Sequence, residues 1–160
     1  MSTMAATIDR PGPAAVPGAL ADDGRAVAVR IRSVVKNFGE GERRVYALRS
    51  VDWDVYAGQL SLIVGPSGCG KTTLLSVIAG ILNADSGSVS IFDAEVSAMR
   101  DRARTRFRAG RIGFIFQQYN LLPALSAAEN AAVPLVIAGW SKPKAVAQAK
   151  EVLASLGMGA

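Results

Sequence analysis

The chain has 160 residues, half of them hydrophobic and 19% charged, with a formal net charge of +5, one cysteine and no histidine. That balance builds one hydrophobic core, in one domain or part of one, and excludes a low-complexity chain. A single cysteine excludes an intramolecular disulfide framework and points to a reducing compartment. No apolar run approaches the roughly 18 residues of a membrane span, and Ala19-Leu20 passes straight into Asp22-Asp23 rather than into a signal core. The positive charge favours anionic partners, whether nucleotide phosphates, an acidic membrane surface or nucleic acid, without choosing among them.

In chain order, residues 1–25 are rich in Ala, Pro and Gly and read as a disordered leader. Val27, Val29 and Ile31 then alternate with Ala28, Arg30 and Arg32, the pattern of a half-buried strand. Gly39-Glu40-Gly41 predicts a turn, and Val45–Leu48 with Val51–Val55 supplies further strand material for a small antiparallel sheet. Leu60–Val64 lacks alternation, as does Arg111–Phe116 further on, so both read as buried parallel strands covered on two faces. Between them Val89–Phe92 predicts a short strand. Its neighbour Asp93 imitates an acid at the end of an apolar strand, but Ser90 interrupts the run. Arg100, Arg102, Arg104, Arg106 and Arg108 read as a solvated helical face, because aromatic interleaving stops at Phe107 and no nucleic-acid reader module accompanies them. No nucleic-acid partner is therefore expected. Ser126 with Glu129 predicts a capping box opening a helix that Pro134 shortens or kinks, and a last helix spans Pro143 to Leu156.

The chemistry concentrates in Gly65-Pro66-Ser67-Gly68-Cys69-Gly70-Lys71-Thr72, which fits G-x-x-x-x-G-K-[ST] between a strand and a helix carrying Leu74, Leu75, Val77 and Ile78. Several backbone amides must converge on one polyphosphate, and only residues with little or no side chain allow that concavity. Lys71 is placed to reach the β and γ oxygens, Thr72 to ligate magnesium, and Thr73 to meet the α-phosphate. Cys69 reads as a small filler, with a thiol whose modification blocks nucleotide as the alternative. At the end of the second apolar run, Gln117, Gln118, Tyr119 and Asn120 stand where α/β sheets present ligand-binding groups.

Taken together, the phosphate loop with Thr73-Leu74-Leu75, then Ile112–Pro123 (Ile-Gly-Phe-Ile-Phe-Gln-Gln-Tyr-Asn-Leu-Leu-Pro), then Leu125–Asn130 resembles the nucleotide-binding domain of an ATP-binding-cassette (ABC) transporter. The likeness runs from about Val27 onward and is strongest to the lipoprotein-release and macrolide-export branch. It implies an α/β P-loop NTPase fold with a small N-terminal antiparallel β subdomain, residues 26–160 forming a partial domain that stops within the helical subdomain. It further implies ATP and Mg2+ as cofactors and Gln117 as the Q-loop glutamine, approaching magnesium and the attacking water. Phe38 takes the place of the aromatic that stacks on adenine, with Tyr46 as a rival for that role. The implied partners are an integral-membrane permease and a second nucleotide-binding domain, on the inner face of the plasma membrane.

Lys71 and Gln117 are thus the expected catalytic groups. The family's serine-glycine-glycine signature, its Walker B acid that holds magnesium, its second acid that polarises water and its switch histidine do not occur in these residues, and after Gln117 the acids are Glu129 and Glu151. Binding without appreciable hydrolysis is the expectation for this chain by itself. A non-catalytic nucleotide-responsive module and a P-loop kinase are the alternatives.

Overall fold

A computed structural model describes residues 25–92 and 94–159. The leader, apart from Arg25, and Asp93 lie outside the described residues. Arg25 itself sets its guanidinium 3.7 Å from the centre of the Tyr56 ring. The chain divides into two compact units, one ending at Arg108 and the other running from Ala109.

The first unit holds a four-stranded sheet of β1 (Val27–Phe38), β2 (Val45–Tyr56), β3 (Ser86–Ile91) and β4 (Ala94–Glu95), in the order β2-β1-β3-β4. Every pairing is antiparallel. The two pieces expected between Val45 and Val55 form one continuous strand, because β1 is long enough to pair along its whole length, from Val27 opposite Tyr56 to Phe38 opposite Val45. Arg32 grips Asp54 on that ribbon through two bonds of 2.7 and 2.8 Å, which hold the carboxyl below its usual range. Helix α1 (Lys71–Ile78) lays Leu74 and Val77 on the sheet against Ile31, Val34, Leu48 and Val89, all buried. Trp53, Val51 and Val29 pack around this cluster.

The two expected parallel strands are not strands here. Leu60–Val64 and Ile112–Phe116 carry no strand assignment, and Leu60, Leu62 and Ile115 are 100%, 83% and 97% exposed. An apolar run becomes a core strand only when ladders flank it, and among the described residues no strand pairs with either segment. The arginine-rich stretch does form a helix, α2 (Asp101–Arg111), but not a uniformly solvated one. Arg104 is only 12% exposed on its side chain, paired with Asp101, and Arg108 is turned onto the Gly80 carbonyl.

The second unit contains α3 (Ala127–Ile137) and α4 (Lys142–Ser155), packed through Ala132, Ala145 and Ala149 with Leu135, Trp140 and Val146 around them. The expected capping box is present. Glu129 N–H donates to Ser126 Oγ at 3.3 Å, and Ser126 N–H donates to the Glu129 carboxylate at 3.0 Å. Pro134 sits inside the helix, which ends three residues later. Asn130, which the sequence reading leaves without a role, donates from Nδ2 to the carbonyls of Leu122, Leu125 and Ser126 and accepts from the Leu122 amide at 2.8 Å. It ties the segment after Gln117 to the start of α3.

The Lys142 ammonium, 2.9 Å away, and the Ser126 donors pull the Glu129 carboxyl down from 4.5 to about 2. A depressed carboxyl contributes stability that is complete above its unfolded value and is lost as pH falls through the folded one. Acid titration of helicity should therefore show wild type losing stability between pH 4.5 and about 2 relative to Glu129→Gln, whose curve is flatter over that window. Parallel curves would show that the carboxylate makes no such contribution.

Candidate functional site

Helix α1 begins at Gly70, which adopts a left-handed conformation (φ 93°, ψ 4°), and no side chain caps it. The first amides of any helix lack intrahelical acceptors and carry partial positive charge, so this start is open to an anion. Gly70 is also a steric requirement. A Cβ there would overlap the carbonyl oxygen of Ala47 on β2 and touch Leu48 Cδ2 at 3.3 Å. The antiparallel sheet thus presses its backbone against the end of the loop. Sequence reading names Gly70 for its place in the motif; it misses the partner, because contact with Ala47 exists only after β2 has folded beneath α1.

The Gly65-to-Thr73 run is continuous and mostly exposed. Lys71 Nζ donates to the carbonyls of Gly65 at 2.7 Å and Pro66 at 2.6 Å, and lies 3.5 Å from Cys69 Sγ. The ammonium therefore closes over the first half of the loop. Ser67, Gly68 and Cys69 form the exposed bend, with the Cys69 amide donating to Pro66 O at 3.4 Å. Thr72 is exposed in the first turn of α1 and Thr73 is half-buried beside it. Among the described residues no three acidic, cysteine or histidine groups cluster to hold a metal unaided. The exposed Thr72 hydroxyl is a hard oxygen donor beside the uncapped helix start, a donor type that suits magnesium.

Phe38 ends β1 and is 45% exposed. Tyr46 is equally exposed, but Phe38 stands opposite Val45 and Tyr46 opposite Asn37, so alternation places the two rings on opposite faces of the ribbon. Lys36, two residues before Phe38 and unmarked by the sequence reading, holds its ammonium 5.5 Å from the Phe38 ring centre and 2.8 Å from Asp85 Oδ1. Lys36 and the Asn37 amide, 2.6 Å from Oδ2, keep the Asp85 carboxyl below its ordinary range. Spacing alone could have found Lys36, since i and i+2 share a strand face. Gln117 belongs to the other unit, exposed in the bend that follows Phe116, whose ring packs at 4.7 Å on Phe114.

Comparison with known proteins follows the same residues. The sequence profile of the family described as ABC transporter matches residues 48–160. The lipoprotein-releasing system ATP-binding protein LolD 2 of Caulobacter vibrioides is 47% identical over 112 residues, which are 70% of this chain and 49% of that protein. An uncharacterized ABC transporter ATP-binding protein of Thermotoga maritima is 43% identical over 79% of this chain and 54% of its own. The macrolide export ATP-binding/permease protein MacB of Mannheimia succiniciproducens is 39% identical over 81% of this chain and 20% of its own. Among solved structures, the dimeric post-hydrolysis state of the ATP-binding cassette MJ0796 bound to ADP and Pi superposes with a TM-score of 0.73 at 35% identity, covering 79% of this chain and 56% of that one. The chain thus spans about half the length of LolD 2 and of the T. maritima protein.

Two glycines of the loop separate steric from conformational demand. Gly70→Ala meets both the Ala47 carbonyl and left-handed strain, whereas Gly68→Ala meets only the latter, having no neighbour within 4 Å. We predict a loss of at least about 3 kcal/mol for Gly70→Ala against about 1 for Gly68→Ala in chemical unfolding. Equal losses would show that the sheet does not constrain the loop.

Proposed function

The chain belongs to the ABC transporter family, and from that premise we propose that it is the ATP-binding, energy-coupling part of an exporter of the lipoprotein-release or macrolide type. The observation that carries this reading is the uncapped start of α1 with Lys71 folded over the glycine loop. The amides of Gly65, Pro66–Gly70 apart from the proline, and Lys71 to Thr73 face the phosphates. Lys71 exchanges its bonds with the Gly65 and Pro66 carbonyls for phosphate oxygens, which keeps its N–H donors satisfied before and after binding. Phe38 stacks on the adenine, as a phenyl face can without a hydroxyl. By resemblance to the family, Thr72 and the side-chain carbonyl of Gln117 would be the oxygen donors for magnesium, which would offset charge on the phosphates.

The full transporter part works, on this reading, with a second nucleotide-binding domain and with a membrane permease. The dimeric assembly of the MJ0796 cassette and the fused permease in the name of MacB support both partners. Among the described residues no helix is long and apolar enough to cross a membrane. The 160 residues themselves bind nucleotide and turn it over negligibly. Beyond Gln117, Glu129 is committed to its capping box and Lys142, and Glu151 accepts from Gln148 at 3.2 Å on α4.

Calorimetric titration with ATP and magnesium tests the cradle and the ring separately. Lys71→Ala should abolish measurable binding, and Phe38→Ala should weaken it about fivefold to fiftyfold, the worth of one stacked ring. Undiminished binding by Lys71→Ala would remove the phosphate site. Steady-state ATPase activity in residues 1–160 that disappears in Lys71→Ala would contradict the claim of negligible turnover.

A further inference from the structure

Helix α1 has a second end, and it is held as specifically as the first. Gly80 takes a left-handed conformation (φ 65°) just past the helix, its amide donating to Val77 O and that of Ile81 to Ser76 O, both at 2.9 Å. This pattern closes the carbonyls of Ser76 and Val77 and leaves the Gly80 carbonyl outside the helix ladder. Arg108 Nη1 donates to that carbonyl at 2.6 Å, while Nη2 lies 3.4 Å from Thr105 Oγ1 on its own helix. One turn earlier on α2, Arg104 lays its stem across Gly80. A Cβ at position 80 would stand 3.0 Å from Arg104 Cδ and 3.1 Å from both Arg104 Cγ and Val96 Cγ1.

Eight residues make a helix about 12 Å long, too short to be stable alone, so its axis is set by whatever holds its ends. The Ala47 backbone bears on the start, and two guanidinium side chains bear on the finish, where the helix carries negative partial charge. We infer that Arg108, assisted by Arg104, is a positioning residue for the phosphate loop. It touches no nucleotide; it fixes the C-terminal end of α1, so that the amides at Gly70 to Thr73 keep their aim. The inference rests on the phosphate-site reading above for its consequence, but the clamp on α1 can be measured without it.

The test compares wild type, Arg108→Ala, Arg108→Lys, Gly80→Ala, Lys71→Ala and Arg102→Ala, all in the 160-residue chain, by ATP titration and amide hydrogen exchange. Arg102 is an exposed arginine of the same helix and controls for net charge. Arg108→Ala should weaken ATP binding about threefold to tenfold. Lysine should restore part of this, keeping the charge and losing the fork, and Gly80→Ala should weaken binding in the same direction by displacing Arg104. Exchange should quicken at Leu74 to Ile78 in Arg108→Ala while β1 and β2 stay protected, which a general loss of structure would not produce. Wild-type affinity in Arg108→Ala, or an equal loss in Arg102→Ala, overturns the inference and leaves the phosphate site intact. Should wild type bind no ATP, the site reading falls instead, and unchanged α1 exchange in Arg108→Ala would overturn the clamp as well.

Discussion

The structure of the first unit depends on one close approach, that of the Ala47 carbonyl on β2 to the α-carbon of Gly70. No other residue type fits there, because any side chain meets backbone and because the conformation is left-handed. The approach is possible only while Leu74 and Val77 seat α1 on Ile31, Val34 and Val89. Hydrophobic burial beneath the helix and backbone exposure at its start are therefore two results of one packing arrangement. The sheet provides the rigid base, and the loop provides an open set of amides.

Charge then refines what packing sets. Lys71 is held by hydrogen bonds to carbonyls of its own loop, Lys36 is paired with Asp85 beside the exposed Phe38 ring, and Asp54 is paired with Arg32 and Arg30 on the ribbon. Each pair lies at or near the surface, so each is worth little as bulk stability and more as a fixed geometry. In the second unit the same economy appears at Ser126, Glu129, Asn130 and Lys142, which together fasten the segment after Gln117 to α3.

Much of this was legible in the residues. Alternation at Val27, Val29 and Ile31 gave the first strand, Ser126 with Glu129 gave the capping box, and the glycine spacing gave the loop that opens α1, because each signal is local. Leu60–Val64 and Ile112–Phe116 misled, since an apolar run declares a preference for burial but cannot supply the neighbouring ladder that burial needs. Arg104 and Arg108 misled for the converse reason. A guanidinium on a polar helix reads as solvated until, as at Arg108, the Gly80 carbonyl just past α1 is brought to it. Ala47, with a small apolar side chain, carried no signal at all, because its part is played by its backbone.

The central claim is that nucleotide phosphate is received by the amides of Gly65 to Thr73 at the start of α1. The most direct measurement is a backbone amide chemical-shift titration of the chain with ATP. The account predicts that the Gly68, Gly70, Lys71 and Thr72 amides move together on one saturation curve, in the downfield direction of new hydrogen bonds to phosphate. Saturable shifts confined to the exposed arginines of α2, with the loop amides unmoved, would contradict it.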